Sequence, residues 1–539
     1  MVITEKYFHE EPVSNVIGPQ LGPCFEQCGV RITIALPSRQ DETLSCHLFD
    51  KSGKKAGEPL YSNALHAKFR TFLFEFNSLN SGEKYYYKFL DSAGNEINLE
   101  GGLDYQDCWF FAPEFNDDDK FVLLSCNNPF HSKKDGDDRF GMWKRLFEVT
   151  EQDQTIKLLI QGGDQVYHDD IEADSLQKLK EHEPNLEAVQ NNVIKNYQHY
   201  YSNLNYRRIL ARIPSVAMLD DHDITDGWGG RNASFDKNEI RPEWQHYFDI
   251  TYDAFKAYQS LKNPTVRLYD GVETTYLDFG KNRVYLLDLR KEKNIKNKEF
   301  PLISAEHATS LLESIDTVPD RLENVLILSP VVPVRINPTE EETLNFISEL
   351  LYQIRGAAEI KMRSATNKYQ WVWQSIFWAS SRFGVADLTD DLKDGLSSSL
   401  NRKFLVSILE RLATLVSVNN KQAYILSGDI HTGGISEIFI EHEKETICIP
   451  QVVSSPIGYA PMKKIAKDKT TEEKDYKIIL NNSDTEPVNT TITARNIFYK
   501  SDRNFAILTL SDTIQGSRVA FYFENLQRPI VSPATFSNN

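Results

Sequence analysis

Six short apolar runs along this chain end in a similar way. "KFVLLSC" stops at Cys126, "IKLLIQGGD" at Asp164, and "SVAMLDDHD" at Asp220 to Asp223. "RVYLLDLR" ends at Asp288, "NVLILSP" near Ser329, and "QAYILSGDIH" at Asp429 and His431. Each run has the length and aliphatic content of a strand buried on both faces. Long polar or amphipathic stretches separate them. Strands alternating with helices predict an α/β layered domain. In open sheets of that kind, ligands bind beyond the carboxyl ends of the strands. The run-ending side chains are therefore expected at one edge.

The flanking sequence has a different texture. From about residue 17 to 112, short β segments such as "VRITIALPS", "FRTFLFEF" and "KYYYKFLD" are separated by "KSGKK", "LNSGEK" and "SAGNE". That spacing predicts a small β-sandwich. "FAPEFNDDDK" (Phe111 to Lys120) reads as a linker, placing one domain over 1–115 and a second over 116–539. Helices are expected over Ser175 to Leu204, and in "AEHATSLLESI", "EETLNFISELLYQIRGAAEI" and "RKFLVSILERLATLVSV". The last hundred residues return to β patterning. Between the β segments there, "MKKIAKDKTTEEKDYK" reads as a loop or a helix over the site, or, as its charge density favours, a solvated surface segment.

Composition narrows the function. Sixty Lys+Arg against 77 Asp+Glu give a net charge of −17, with no basic run, so no nucleic-acid-binding module is expected. Nothing approaches the roughly 18 apolar residues of a membrane span. Six cysteines in 539 residues do not make a disulfide scaffold, and Cys24 and Cys28 lack a second Cys/His pair for zinc. The start, "MVITEKYFHEEPVSN", shows no basic segment followed by an apolar one. These features together predict a cytoplasmic protein.

Taken singly, the run-ending residues have ordinary explanations. Asp164 could cap a helix, Cys126 could be a small core residue, and Tyr167 could be packing. His222 among three aspartates is harder to place in a core. Converging carboxylates repel one another and raise each other's pKa unless a cation lies among them. Asp, His, Tyr and Cys together form a mixed oxygen, nitrogen and sulfur ligand set suited to transition metals. Two metals about 3.5–4 Å apart, bridged by one carboxylate, would clamp an in-line phosphoryl displacement.

"GGDQVYHDD", "MLDDHDITDGWGG", "LLDLR" and "LSGDIHTGG", with the "IGPQLG" start of the β segments, resemble the PhoD-like alkaline phosphatases/phosphodiesterases. These form a branch of the calcineurin-like metallophosphoesterases, and the resemblance runs from about residue 17 to about 525. It implies an α+β fold: a four-layer α/β/β/α catalytic domain behind a small N-terminal β-sandwich. It also implies hydrolysis of phosphomonoesters or diesters by a metal-bound hydroxide at a dinuclear site. The implied metal ligands are Cys126, Asp164 (bridging), Tyr167, Asp221, Asp429 and His431. The implied metals are Fe3+, bound through the tyrosine, plus a divalent ion (Ca2+, Mn2+ or Zn2+). His222 matches the histidine that assists the leaving group, and Arg290 an arginine near the phosphate. Asp220, Asp288 and Asp394 complete the candidate set as substrate-binding residues.

The chain departs from the family pattern at "DITDGWGG", where many relatives carry an asparagine, and at "DDLKDGL", where lysine and leucine replace aromatics. These departures bear on the substrate more than on the metals. The alternative to an enzyme is a non-catalytic phosphate-ligand or metal-binding protein on the same fold. Such a protein would be expected to have lost His222 or Asp164, and both are present.

Overall fold

The computed structural model describes residues 14–37, 43–60, 64–66, 68–116, 119–130, 140–229, 235–236, 239–293, 302–333, 395–396, 401–428, 430–442, 445–461, 475–480, 490–511 and 516–533. The expected helix in "EETLNFISELLYQIRGAAEI", Asp394 and Asp429 lie outside them, as does most of "MKKIAKDKTTEEKDYK".

The first eight strands are β1 (Ile17–Cys24), β2 (Gly29–Ala35), β3 (Ser45–Asp50), β4 (Lys55–Gly57), β5 (Ala64–His66), β6 (Thr71–Phe76), β7 (Lys84–Leu90) and β8 (Trp109–Phe111). They form two four-stranded sheets, ordered β1-β2-β6-β5 and β4-β3-β7-β8. Successive side chains of a strand face opposite ways. Ile32, Ile34, Phe72 and Phe74 of one sheet therefore share a single buried cluster with Cys46, Leu48, Tyr87 and Phe89 of the other.

The rest of the chain continues through β9 (Lys120–Leu124), α1 (Gly141–Gln152), β10 (Ile156–Gln161), α2 (Asp169–Leu179), α3 (Leu186–Tyr200), α4 (Leu204–Leu210) and β11 (Ser215–Ala217). Next come β12 (Phe235–Asp236), β13 (Glu239–Ile240), α5 (Pro242–Tyr258), β14 (Thr275–Phe279), β15 (Asn282–Leu286), α6 (Ala305–Asp316), β16 (Asn324–Ser329) and α7 (Arg402–Ser417). Last are β17 (Gln422–Ser427), β18 (Gly433–His442), β19 (Glu445–Ser454), β20 (Asp475–Leu480), β21 (Thr490–Lys500), β22 (Asn504–Thr509), β23 (Arg518–Phe523) and β24 (Ile530–Pro533).

Two large sheets result. One is ordered β11-β10-β9-β22-β23-β24 and the other β14-β15-β16-β17-β19-β18-β21-β20. The runs ending in candidate residues are the parallel neighbours β9, β10 and β11 in the first sheet and β15, β16 and β17 in the second. Phe121, Leu123, Leu158 and Ile160 share a buried cluster with Val284, Leu286, Leu326 and Leu426, so the two sheets meet face to face. The opposite faces bury against helices. Val122, Leu124 and Leu159 cluster with Trp143 of α1 and Tyr197 of α3, and Val325, Ile327 and Ile425 cluster with Leu311 of α6 and Leu409 of α7. Parallel pairing and two-sided burial account for the unbroken apolar runs.

The helical stretch expected over Ser175 to Leu204 is broken near its middle: α2 ends at Leu179 and α3 begins at Leu186. Pro184 lacks an amide donor and disfavours helix at the residue before it. Asn185 then caps α3, its side chain accepting the Ala188 N–H at 3.1 Å. Within "MKKIAKDKTTEEKDYK", the end from Asp475 is strand β20, paired with β21.

The N-terminal sheets are bound to the rest through polar groups as well as packing. Arg207 is fully buried and donates to the carbonyls of Gly18 (3.1 Å), Leu99 (2.5 Å) and Glu100 (2.9 Å). Among the described residues, no helix is long and apolar enough to cross a membrane.

Candidate metal centre

The parallel strands β9, β10 and β11 deliver Cys126, Asp164 and the Asp220–Asp223 turn side by side. Two glycines permit this close approach. A Cβ on Gly163, whose φ is +99°, would lie 2.6 Å from Asp220 Cβ. A Cβ on Gly428 would lie 2.5 Å from the Ser125 side chain. The two sheets therefore touch where their strands end.

Asp164 is the hub. Its Oδ1 accepts the His222 N–H at 3.2 Å. Its Oδ2 accepts the Tyr167 hydroxyl at 3.1 Å and lies 3.5 Å from Cys126 Sγ. Ligand atoms of Asp164, Asp221 and His222 all fall within 4.8 Å of one another. Asp221 Oδ2 accepts the Gly227 N–H at 2.6 Å. The Tyr167 ring lies 4.1 Å from the His222 ring. His222 Nδ1 sits 2.8 Å from Asp169 Oδ2, and Asp169 Oδ1 accepts the Asp226 N–H at 2.7 Å.

Arg290 arrives from the other sheet. Its Nε is 2.6 Å from Asp220 Oδ1, and its Nη2 is 3.5 Å from Asp221 Oδ1. Asp220 is thus the anchor of the guanidinium, and its second oxygen, Oδ2, is buried with no partner among the described residues. Asp288 faces its own loop. It accepts the N–H groups of Arg290 (3.1 Å), Lys291 (2.9 Å) and Glu273 (3.1 Å) and the Tyr252 hydroxyl (2.9 Å). That full set of donors makes Asp288 a brace for the Arg290 loop.

Electrostatics follow from burial and crowding. Burial pushes Asp164 well above the ordinary carboxylate range; Asp220, Asp221 and Asp223 push it further, and His222 opposes them. Burial likewise lifts Asp220 to about 6 despite Arg290. At Asp221 burial acts upward, but Arg290, His222 and Lys293 outweigh it and the carboxyl is lowered. Tyr167 is raised well above its usual value, first by burial, then by Asp164 and Cys126. Several acids crowded into a buried space favour their neutral forms, and a cation among them reverses that preference.

Three candidate ligands sit on left-handed backbone: Cys126 (φ 54°), Asp164 (φ 57°) and His431 (φ 51°). Such a conformation in a residue other than glycine costs on the order of 1–3 kcal/mol and gathers at functional sites. The donor set, the shared Asp164 carboxylate, the partnerless Asp220 oxygen and the strained turns fit a metal centre.

Residues 121–317 match the family model described as PhoD-like phosphatase. The chain carries a PhoD-like phosphatase region. That region contains Cys126, Asp164, Tyr167, Asp221, His222 and Arg290. A solved structure titled "Structure of PhoD" is similar over 97% of this chain and 90% of that one, with TM-score 0.56 and 12% identity. The architecture around the PhoD-like region is therefore shared as a fold. An uncharacterized protein of Saccharomyces cerevisiae is 22% identical over 382 residues, 60% of this chain. The chain spans about half (51%) of that relative's length.

Four residues of the site were not singled out from the sequence. Asp169 orients His222. Asp223 is buried and accepts the N–H groups of Asp164 (3.0 Å), Val166 (3.2 Å) and Asp220 (3.1 Å), fastening the Asp164 and Asp220 turns together. Lys293 is a buried cation whose charge acts on Asp221. Tyr459 stacks on His431 with ring centroids 4.1 Å apart. Asp169 and Asp223 lie inside the motifs themselves, where counting acids could have raised them but geometry was needed to assign them.

Proposed function

We propose that this chain is a metal-dependent phosphoesterase that hydrolyses phosphate mono- or diesters at a dinuclear centre. The catalytic domain is the α/β/β/α arrangement of the two large sheets and their helices, from about residue 116. The two four-stranded sheets before it are its N-terminal β-sandwich. One observation carries the activity: the Asp164 carboxylate lies between the Cys126/Tyr167 pair and the Asp221/His222 pair, where one group can bridge two cations. Cys126, Asp164, Tyr167 and His431 would hold Fe3+. Asp164, Asp221 and Asp429 would hold a divalent ion (Ca2+, Mn2+ or Zn2+).

When bound, the ions supply Lewis acidity and a water acidic enough to attack phosphorus near neutral pH. The chain's own residues do the rest. Asp220 fixes Arg290, and a guanidinium held in place can donate to phosphate oxygens without reorganising as charge builds. Asp288 braces the loop that presents it. Asp169 pins His222 through Nδ1, leaving Nε2 as the atom that can hand a proton to the departing oxygen. The 4.1 Å packing of Tyr167 on His222 keeps the imidazole plane fixed.

Metal content and the visible absorption spectrum of the purified chain test this, alongside hydrolysis of aryl phosphate mono- and diesters. Two metals per chain, a tyrosinate-to-iron band absent in Tyr167→Phe, and loss of both metals and activity in Asp164→Asn are expected. A chain that takes up no metal after incubation with iron, calcium, manganese and zinc overturns the reading.

A further inference from the structure

The loop Ser455–Tyr459, which follows β19, touches three residues assigned above to metal. Ile457 donates its N–H to the Ser125 carbonyl at 2.9 Å, and Gly458 and Tyr459 donate theirs to the Cys126 carbonyl at 3.2 and 3.1 Å. Ser455 Oγ accepts the N–H of His431 at 3.2 Å. The half-buried ring of Tyr459 stacks on His431 at 29° and lies 5.3 Å from the Tyr167 ring at 30°. With Tyr167 on His222, the four rings form one column: His222, Tyr167, Tyr459, His431.

The loop is itself braced. Buried Arg503 donates from Nε to the carbonyls of Gly458 and Tyr459, each at 3.2 Å, and reaches Glu524 through Nη1 at 3.0 Å. Asn504 donates its N–H to the Pro456 carbonyl at 2.7 Å. Cys126 and His431 both need this outside support, because their left-handed turns are disfavoured on their own.

We propose that Tyr459 is a positioning residue for the Cys126–Tyr167–His431 half of the centre, acting through its ring on the two aromatic ligands and through its N–H on the Cys126 turn. The proposal rests on the two-metal reading. Residues that orient ligands typically change metal affinity or activity by roughly 10–100-fold when replaced.

The test uses the full chain and its Tyr459→Phe and Tyr459→Leu variants. Each is titrated with iron(III) and manganese(II) against a competing chelator, its visible band is recorded, and the unfolding temperature of the metal-free protein is measured. Tyr459→Phe keeps the ring, and its affinity and band should match the parent. Tyr459→Leu should bind iron about 10–100-fold more weakly, with a displaced band, while its metal-free unfolding temperature falls by only the few degrees expected from lost ring packing. Parental affinity and band in Tyr459→Leu would overturn the proposal and leave the two-metal reading standing. So would a metal-free unfolding temperature that falls in both variants along with affinity, since that marks a structural role. If the parent binds neither ion, both readings fall together.

Discussion

His222 and His307 each hold Nδ1 2.8 Å from a carboxylate oxygen, of Asp169 in one case and Glu292 in the other. Beyond that shared pair they diverge. The His307 side chain is 1% exposed, and its Nε2 is 2.9 Å from Thr274 Oγ1. That hydroxyl oxygen also accepts the Asp288 N–H at 2.9 Å, so the His307 ring is tied to the Asp288 turn through Thr274. Both ring nitrogens are spent on protein. The His222 side chain is 19% exposed, and its Nε2 has no hydrogen-bond partner among the described residues. A histidine–carboxylate pair therefore marks a reactive group only when the second nitrogen is left for something else. The buried pair links α6 to the Asp288–Arg290 loop instead.

That contrast can be tested by removing each part in turn. The largest effect is expected from His222→Ala, with turnover falling by about two to four orders of magnitude while metal content holds. Steady-state kinetics with elemental analysis on the same sample would decide it, and undiminished turnover would remove His222 from the mechanism. Asp169→Asn keeps the imidazole but frees its plane, and kcat should drop toward the upper end of the roughly 10–100-fold range for residues that orient others. Glu292→Gln should act more weakly on catalysis, about tenfold at most and mainly through the Arg290 loop. Its clearer signature should be a lower unfolding temperature, from about 1–3 kcal/mol of weakened buried hydrogen bonding. Equal kinetic losses in Asp169→Asn and Glu292→Gln would erase the distinction between the two pairs.

The strand ends were legible because burial on both faces writes itself as an unbroken apolar run. Cys126, Asp164, Asp221 and Asp288 could be named from where such runs stop, and Arg290 only from the family resemblance of "LLDLR". What lay beyond the sequence was the pairing of side chains across loops. Asp169 sits in "YHDD" beside His168, and nothing local says that its carboxylate reaches His222. That contact depends on α2 starting at Asp169, next to the turn after β11. Asp223 read as one more acid of a cluster, whereas its carboxylate ties the amides of the Asp164 and Asp220 turns. Asp288 had the residue type and position of a substrate contact, yet it is consumed by four donors of its own surroundings. The Pro184 break was visible as a residue, but amphipathic spacing on both sides masked it. Tyr459 carried no motif, and only the path of the loop after β19 brings it to His431.

Strand β9, which leads to Cys126, lies between β10 and β22, and the Ser125 hydroxyl bonds to the Ser454 carbonyl 329 residues further along at 3.0 Å. On the ribosome, β9 can pair with β10 early, but its other edge stays open until β22 has emerged. An open strand edge is a template for pairing with other chains during that interval. An ion captured by the nascent chain would meet Cys126, Asp164 and Asp221 long before His431 or the loop that holds it. The proposed site could therefore close around an ion only after β22 and the loop that follows β19 have been made.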